Sequence, residues 1–192
     1  MSIVPSPRRA EFEALYRSDP DPWRMETSAY ERAKYDATIA ALTRPTYGSA
    51  LEVGCSIGVL TARLATRCTR VLALDVSETA LRRAQARAQT GNVTWRRAEV
   101  PSDWPESRYD LIVLSEVLYF LEPHEVRAVA ALVARDLSPG GEAIVVNWLG
   151  ECDRTLNGNG AADLFAREFA RHGGRVERVT RGDHYRLDRV VR

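Results

Sequence analysis

The segment Glu52-Val53-Gly54-Cys55-Ser56-Ile57-Gly58 constrains this chain more than any other. An apolar run ends there in an acidic residue and two glycines, after which the pattern turns amphipathic. Asp75 closes a second apolar run about 20 residues later, the distance at which a second strand delivers a carboxylate to a ribose. The layout predicts a strand, a tight turn, a helix start and a second strand, arranged as a nucleoside-cofactor site.

What the loop lacks narrows the nucleoside. A dinucleotide site wants Gly-x-Gly-x-x-Gly, because the backbone must approach a pyrophosphate. Here Ser56 and Val59 stand at the second and third glycine positions. A Gly-x-x-x-x-Gly-Lys-Ser/Thr phosphate loop is also missing, and Lys34, the only lysine, lies upstream of the turn. The loop reads as built for a ligand without phosphates.

Around this feature the chain alternates strand-like and helical runs, which predicts an α/β sheet. Strands are expected over 50–54, 70–75, 92–97, 110–115 and 142–148, with helices over 58–66, 77–90 and 123–137 between them. Two N-terminal helices, 11–17 and 30–42, are separated by Asp19-Pro20-Asp21-Pro22, whose prolines forbid a continuous helix. Ser77 is expected to cap its helix and Gly91 to close it in the left-handed conformation, while Pro123 suits a first helical position. Pro139 and Gly140 suit the second and third positions of a type II turn. The tail adds a helix over 160–172 and two runs, 175–180 and 184–191, joined by Arg181-Gly182-Asp183 as a hairpin.

Composition excludes several classes. At 192 residues the chain reads as one domain, 1–192, and no apolar run approaches a membrane span. The first residues lack the apolar core of a secretory signal, and three cysteines without metal-ligand spacing argue for reduced thiols, so a cytoplasmic protein without a metal is expected. A formal net charge of +1 leaves no cationic footprint for nucleic acid, and Arg82, Arg83 and Arg87 read as the solvated face of one helix.

The chain resembles the class I S-adenosylmethionine-dependent methyltransferases, whose first motif, Glu/Asp-x-Gly-x-Gly-x-Gly, is matched at Glu52, Gly54 and Gly58. Ser56 departs from it, so a hydroxyl-bearing residue must manage a turn that favours glycine. Val71-Leu72-Ala73-Leu74-Asp75, the strand before Ser115 and Leu137-Ser138-Pro139-Gly140-Gly141 follow in the family's order. Within that superfamily the chain is most similar to the nodulation-type N-methyltransferases, which methylate the free amine of a chitin-like oligosaccharide. That likeness rests on Ser18-Asp19-Pro20-Asp21-Pro22-Trp23, Tyr30-Glu31-Arg32-Ala33-Lys34-Tyr35, residues 52–61 and Ser115-Glu116-Val117-Leu118-Tyr119, and fades after Trp148.

The resemblance implies a seven-stranded Rossmann-like sheet with an antiparallel last strand, helices on both faces and a helical lid over 1–45. It implies S-adenosylmethionine as cofactor. Gly54, Cys55, Ser56 and Gly58 would form the loop beside the methionine portion, Asp75 and Val76 the ribose end, and Glu99 and Val100 the adenine reader. Ser115 would lie next to the reactive sulfonium. For Glu52, holding the cofactor's amino group and bracing the loop stay open. Glu99 also reads as a solvent-facing acid. Glu116 could orient or deprotonate an incoming ammonium, or be a helix-start acid. Tyr119 is a pocket wall or core, and Trp23, Tyr30 and Tyr35 are lid aromatics or helix anchors. The expected activity is methyl transfer to a small-molecule acceptor, an amino sugar or related amine, by a monomer or homodimer. An O-methyltransferase, a non-catalytic S-adenosylmethionine-binding protein and a nicotinamide oxidoreductase are the alternatives.

Overall fold

The computed structural model describes residues 6–88, 90–181 and 184–192. Two helices come first, α1 (Pro7–Ser18) and α2 (Ala29–Ala40). The sheet region follows as β1 (Ala50–Val53), α3 (Val59–Ala65), β2 (Val71–Asp75), α4 (Glu78–Arg87), β3 (Val93–Arg97) and β4 (Tyr109–Ser115). After a single 3-10 turn at Leu118–Phe120 come α5 (Pro123–Asp136), β5 (Leu137–Trp148), α6 (Gly158–Arg171), β6 (Arg175–Arg181) and β7 (Tyr185–Val191).

The strands form one seven-stranded sheet in the order β3-β2-β1-β4-β5-β7-β6. β7 runs antiparallel to both its neighbours, whereas β1 to β5 pair in parallel. This is the arrangement implied by the methyltransferase resemblance, and it separates the chain from an all-parallel dinucleotide sheet.

Strand alternation divides the core between the two faces. Ile112 and Leu114 of β4 join Val126, Val129 and Val133 of α5 and Phe165 and Phe169 of α6 on one side. Leu111 and Val113 join Leu60 and Leu64 of α3 and Tyr35 of α2 on the other. Each buried valine or leucine contributes about 1.5–3 kcal/mol, so the sheet is anchored to helices on both faces. Strand order reverses at the β1–β4 boundary, and both strands end there beside the loops that carry the functional motifs.

Local chemistry sets most boundaries as expected. Ser77 accepts the Ala80 N–H and starts α4, Pro123 opens α5, and Gly140 takes a φ of 71° ahead of the main run of β5. Other boundaries differ. α1 begins at Pro7, not residue 11, because the Ser6 side chain accepts the Arg9 N–H and Pro7 needs no partner at the first turn. α6 begins at Gly158, where Asn157 caps it by accepting from Gly160. α4 ends at Arg87, and Gly91 does not take the left-handed conformation: Ala88, with φ −101° and ψ 80°, turns the chain out of the helix first. Gln89, within the expected helix, lies outside the described residues, as do Gly182 and Asp183 of the expected hairpin connection.

The solvated arginine face is corrected more substantially. Arg82 is exposed beside Glu78, as expected, but Arg83 donates to the carbonyls of Tyr16 and Asp19 at 2.7 and 3.2 Å. Arg87 donates to the Ile57 carbonyl at 3.0 Å and pairs with Glu26. Guanidiniums can satisfy backbone carbonyls that no helix or sheet partner reaches, so these two tie α4 to the N-terminal segment. Among the described residues no helix is long and apolar enough to cross a membrane.

Candidate functional site

The turn after β1 is built by backbone bonds. Gly54 and Cys55 N–H both donate to the Leu74 carbonyl, at 2.8 and 2.9 Å, and Gly58 N–H donates to the Cys55 carbonyl at 2.9 Å. Gly54 and Gly58 take φ values of 77° and 80°, and no side chain caps the start of α3. Both glycines are also crowded. A Cβ on Gly54 would lie 2.4 Å from Val117 Cγ2, and one on Gly58 would lie 2.9 Å from Ala84 Cβ and 3.0 Å from Trp95 Cη2. Ser56 meets the demand that glycine meets in the related motif, at a φ of 50°. Its hydroxyl is bonded to that of buried Tyr16 on α1, and this contact offsets the strained backbone.

Asp75 ends β2 behind this turn. Its Oδ2 accepts the Ser56 N–H and its Oδ1 the Ser77 N–H, each at 2.8 Å. Burial pushes the Asp75 carboxyl up to about 6, against the lowering effect of those backbone donors. Glu52 sits in register between Ala73 and Val113 and is 2 % exposed. Burial, with the charge of Asp75 added, pushes its carboxyl up to about 7. Its Oε2 is buried and has no hydrogen-bond partner among the described residues. The Thr61 hydroxyl of α3, buried too, interacts with this carboxyl and opposes the upward shift, and Glu52 keeps further acceptor capacity beside the cavity.

These residues border a cavity of about 450 Å³ at the carboxyl ends of β1 and β4. Of the residues singled out from the sequence, Trp23, Tyr30, Glu52, Gly54, Cys55, Ser56, Asp75, Val76, Glu99, Val100, Ser115, Glu116 and Tyr119 all face it. Gly58 does not; it serves the turn from behind, against Ala84 and Trp95. Trp23, more than a third exposed, packs by its ring on Phe12 and Tyr16. Glu99 accepts from Ser6 Oγ at 2.6 Å and pairs with Arg8, so the start of α1 is fastened across the adenine end of the implied site.

The far wall has an ionic centre. Lys34, 3 % exposed, lies with Nζ 2.9 Å from Glu31 Oε1 and 2.8 Å from Glu116 Oε1. Burial opposes its charge, yet the two carboxylates outweigh burial and hold the ammonium above its ordinary pKa. Glu116 takes a φ of 59°, and its Oε2 accepts the Tyr119 hydroxyl and the Trp148 N–H, both at 2.8 Å. Tyr119 is pushed well up by burial, with the charge of Glu116 added, and keeps its proton.

Glu31, Lys34, Tyr16, Phe120 and Arg154 also line the cavity and were not singled out as site residues from the sequence. One signal was available for Lys34: it is the only lysine in an arginine-rich chain, three residues after Glu31 on a predicted helix. No local signal marks Tyr16, whose partner lies 40 residues away.

Comparison with known proteins agrees with this geometry. The family model for nodulation protein S (NodS) matches residues 10–147. A nodulation protein S of Rhizobium tropici is 34 % identical over 127 residues, covering 65 % of this chain and 53 % of that protein. An uncharacterised methyltransferase of Mycobacterium tuberculosis is 32 % identical over 116 residues, covering 60 % of this chain and 58 % of that one. The chain thus spans between half and three-fifths of these curated relatives. Among solved structures, a candidate methyltransferase from Pseudomonas syringae superposes with a TM-score of 0.73 at 30 % identity, over 86 % of this chain and all of that one. The NodS N-methyltransferase of Bradyrhizobium japonicum, in complex with S-adenosylhomocysteine, shares the fold with a TM-score of 0.76 at 21 % identity, over 96 % and 98 % of the two chains. With the seven-stranded order in place and the model spanning most of its length, this chain belongs to the nodulation protein S (NodS) family.

Proposed function

We propose that this protein transfers a methyl group from S-adenosylmethionine to the nitrogen of a small-molecule amine, an amino sugar or a related metabolite. The observation that carries the reading is the pair of buried carboxylates, Glu52 and Asp75, presented to one cavity from the ends of neighbouring strands. A ligand with an ammonium at one end and a ribose diol further along supplies what these two carboxylates lack. The residues present therefore fit the cofactor.

In this reading Glu52 takes the amino group, Asp75 accepts from the ribose hydroxyls with the acceptor sites left beside Ser56 and Ser77, and Val76 packs at that end. Gly54, Cys55, Ser56 and Ser115 border the methionine portion, and Glu99 and Val100 take the adenine edge. Trp23 and Tyr30, on the 1–45 lid of a single domain, cover it. When bound, the cofactor supplies a methyl group already activated by a positive sulfur. The chain's task is alignment and exclusion of water, which can lower a barrier by about 7–11 kcal/mol. Glu116, steadied by Lys34, Tyr119 and the Trp148 backbone, orients the acceptor nitrogen.

The amine assignment is supported by the acidic wall around Lys34 and by the kinship with nodulation protein S. A near-neutral charge balance supports a small molecule over nucleic acid, and three unpaired cysteines support a cytoplasmic setting. Incubation with labelled S-adenosylmethionine and a panel of amino sugars, alkyl amines and phenols tests the proposal. Label appearing on nitrogen is the expected result; label confined to hydroxyl oxygens overturns the acceptor class, and failure to bind the cofactor overturns the whole reading.

A further inference from the structure

We infer that Glu31, Lys34 and Glu116 form a cation subsite that captures the acceptor as its ammonium, which then gives up one proton to solvent before its nitrogen can take the methyl group, with Glu31 the residue that selects for charge. The inference rests on the methyltransferase reading and adds to it Glu31 of α2.

The first support is charge balance along the cavity wall. Arg8 is taken up by Glu99 and Glu125, and Arg154 by Glu11. Lys34 faces two carboxylates at once, so the triad keeps one negative charge uncompensated. Glu52 and Asp75 lie at the cofactor end and do not alter that count. Glu31 and Lys34 are both buried, and in such surroundings an unbalanced carboxylate attracts a cation far more strongly than it would in water.

The second support is geometry. The Lys34 ammonium already occupies the slot between the two acids and lies 5.1 Å from the centre of the Tyr30 ring, so this part of the wall holds an alkylammonium in the folded chain. Glu116 accepts three hydrogen bonds, from Lys34, Tyr119 and Trp148, whereas Glu31 is bonded to Lys34 through Oε1 and has the Tyr35 hydroxyl as its other side-chain donor. A carboxylate offers about four acceptor positions. The larger remaining capacity sits on Glu31. A neutral acceptor of the same shape gains nothing from it.

The test uses the full chain saturated with S-adenosylhomocysteine and two probes of matched shape, n-butylamine and n-butanol, titrated at pH 7. The wild type is expected to bind the amine at least tenfold more tightly than the alcohol. Glu31→Gln should reduce that preference to within twofold while its Kd for S-adenosylhomocysteine, which reports an intact fold, stays within twofold. Lys34→Met should tighten amine binding at least threefold, a gain that general damage to the fold cannot produce. Equal binding of both probes by the wild type, a tenfold preference surviving in Glu31→Gln, or weaker amine binding by Lys34→Met overturns the subsite. In those cases normal binding of S-adenosylhomocysteine leaves the methyltransferase reading standing; its absence in the wild type removes both.

Discussion

Asp75 Oδ2 accepts the backbone N–H of Ser56 at 2.8 Å, so the acid that ends the second strand also fastens the turn that leaves the first. The same carboxylate holds Ser77 N–H through Oδ1. Asp75→Ala is expected to weaken S-adenosylhomocysteine binding by about 100-fold or more, since hydrogen bonds to a charged group contribute about 1.5–3 kcal/mol each. Ser77→Ala should cost the helix cap and the hydroxyl's bond to Glu13, together about 2–4 kcal/mol of stability, with little change in affinity. Calorimetric titration of both variants separates loss of the Asp75 carboxylate from loss of the neighbouring helix cap, and an unaltered Kd in Asp75→Ala would sink the assigned role.

Glu52 gives a pH dependence with a definite sign. Its carboxyl titrates at about 7 in the folded chain against an ordinary 4.5, so the folded state holds a proton that the unfolded state releases. The associated stability is fully present below about pH 4.5 and is lost as pH rises through 7. Asp75 behaves alike between its ordinary 3.8 and about 6. The ligand-free protein should therefore melt at a lower temperature at pH 7.5 than at pH 5. Glu52→Gln should remove a share of that slope worth roughly 3 kcal/mol. Cofactor affinity should move the other way, rising from pH 6 to 8 in the wild type as Glu52 ionises, and staying nearly flat in Glu52→Gln. Melting curves and titrations across that range decide the matter.

Replacing Gly54 by alanine places a methyl group against Val117 in a backbone conformation that alanine disfavours. A loss of about 2–4 kcal/mol is expected in chemical denaturation, partly restored by Val117→Ala in the same chain. No recovery in the double variant would show that backbone strain, and not the contact, dominates. Ser56→Gly relieves the φ of 50° but gives up the hydroxyl that holds Tyr16, so stability should change by less than about 1 kcal/mol while the first helix becomes more susceptible to limited proteolysis.

Glu116→Ala removes three hydrogen bonds and leaves Lys34 with Glu31 as its carboxylate partner. Lys34 keeps Glu31 as its counter-ion, so the cost is that of the lost hydrogen bonds to a charged carboxylate, about 1.5–3 kcal/mol each where buried, and this variant should lose about 3 kcal/mol or more. Tyr119→Phe, which deletes one donor, should cost about 1 kcal/mol. Urea denaturation ranks the two, and comparable losses would contradict the ionic account.

Much of the sheet was legible because its signals are local. The five apolar runs, Ser77 as a cap, Pro123 at a first turn and Gly140 at positive φ each act within a few residues of their position. Ser6-Pro7 is an equally local start signal for α1, four residues ahead of the apolar pattern. The strand-end residues of the cavity were legible for the same reason as the strands. Lys34 was not, because its burial depends on Glu116, 82 positions away, being turned toward α2. Arg83 and Arg87 present the same difficulty: helical periodicity places them on one side, but only tertiary structure brings the carbonyls of Tyr16, Asp19 and Ile57 within their reach.

The inserted β7 has a temporal consequence. β6 leaves the ribosome before β7, yet its sole place in the sheet is outside it, paired to β7. The first five strands can assemble as they emerge, but β6 has nothing to zip onto until the chain has been synthesised through Val191 and β7 has docked along β5. A released chain truncated shortly before Tyr185 should thus carry a five-stranded platform and an unzipped sixth segment.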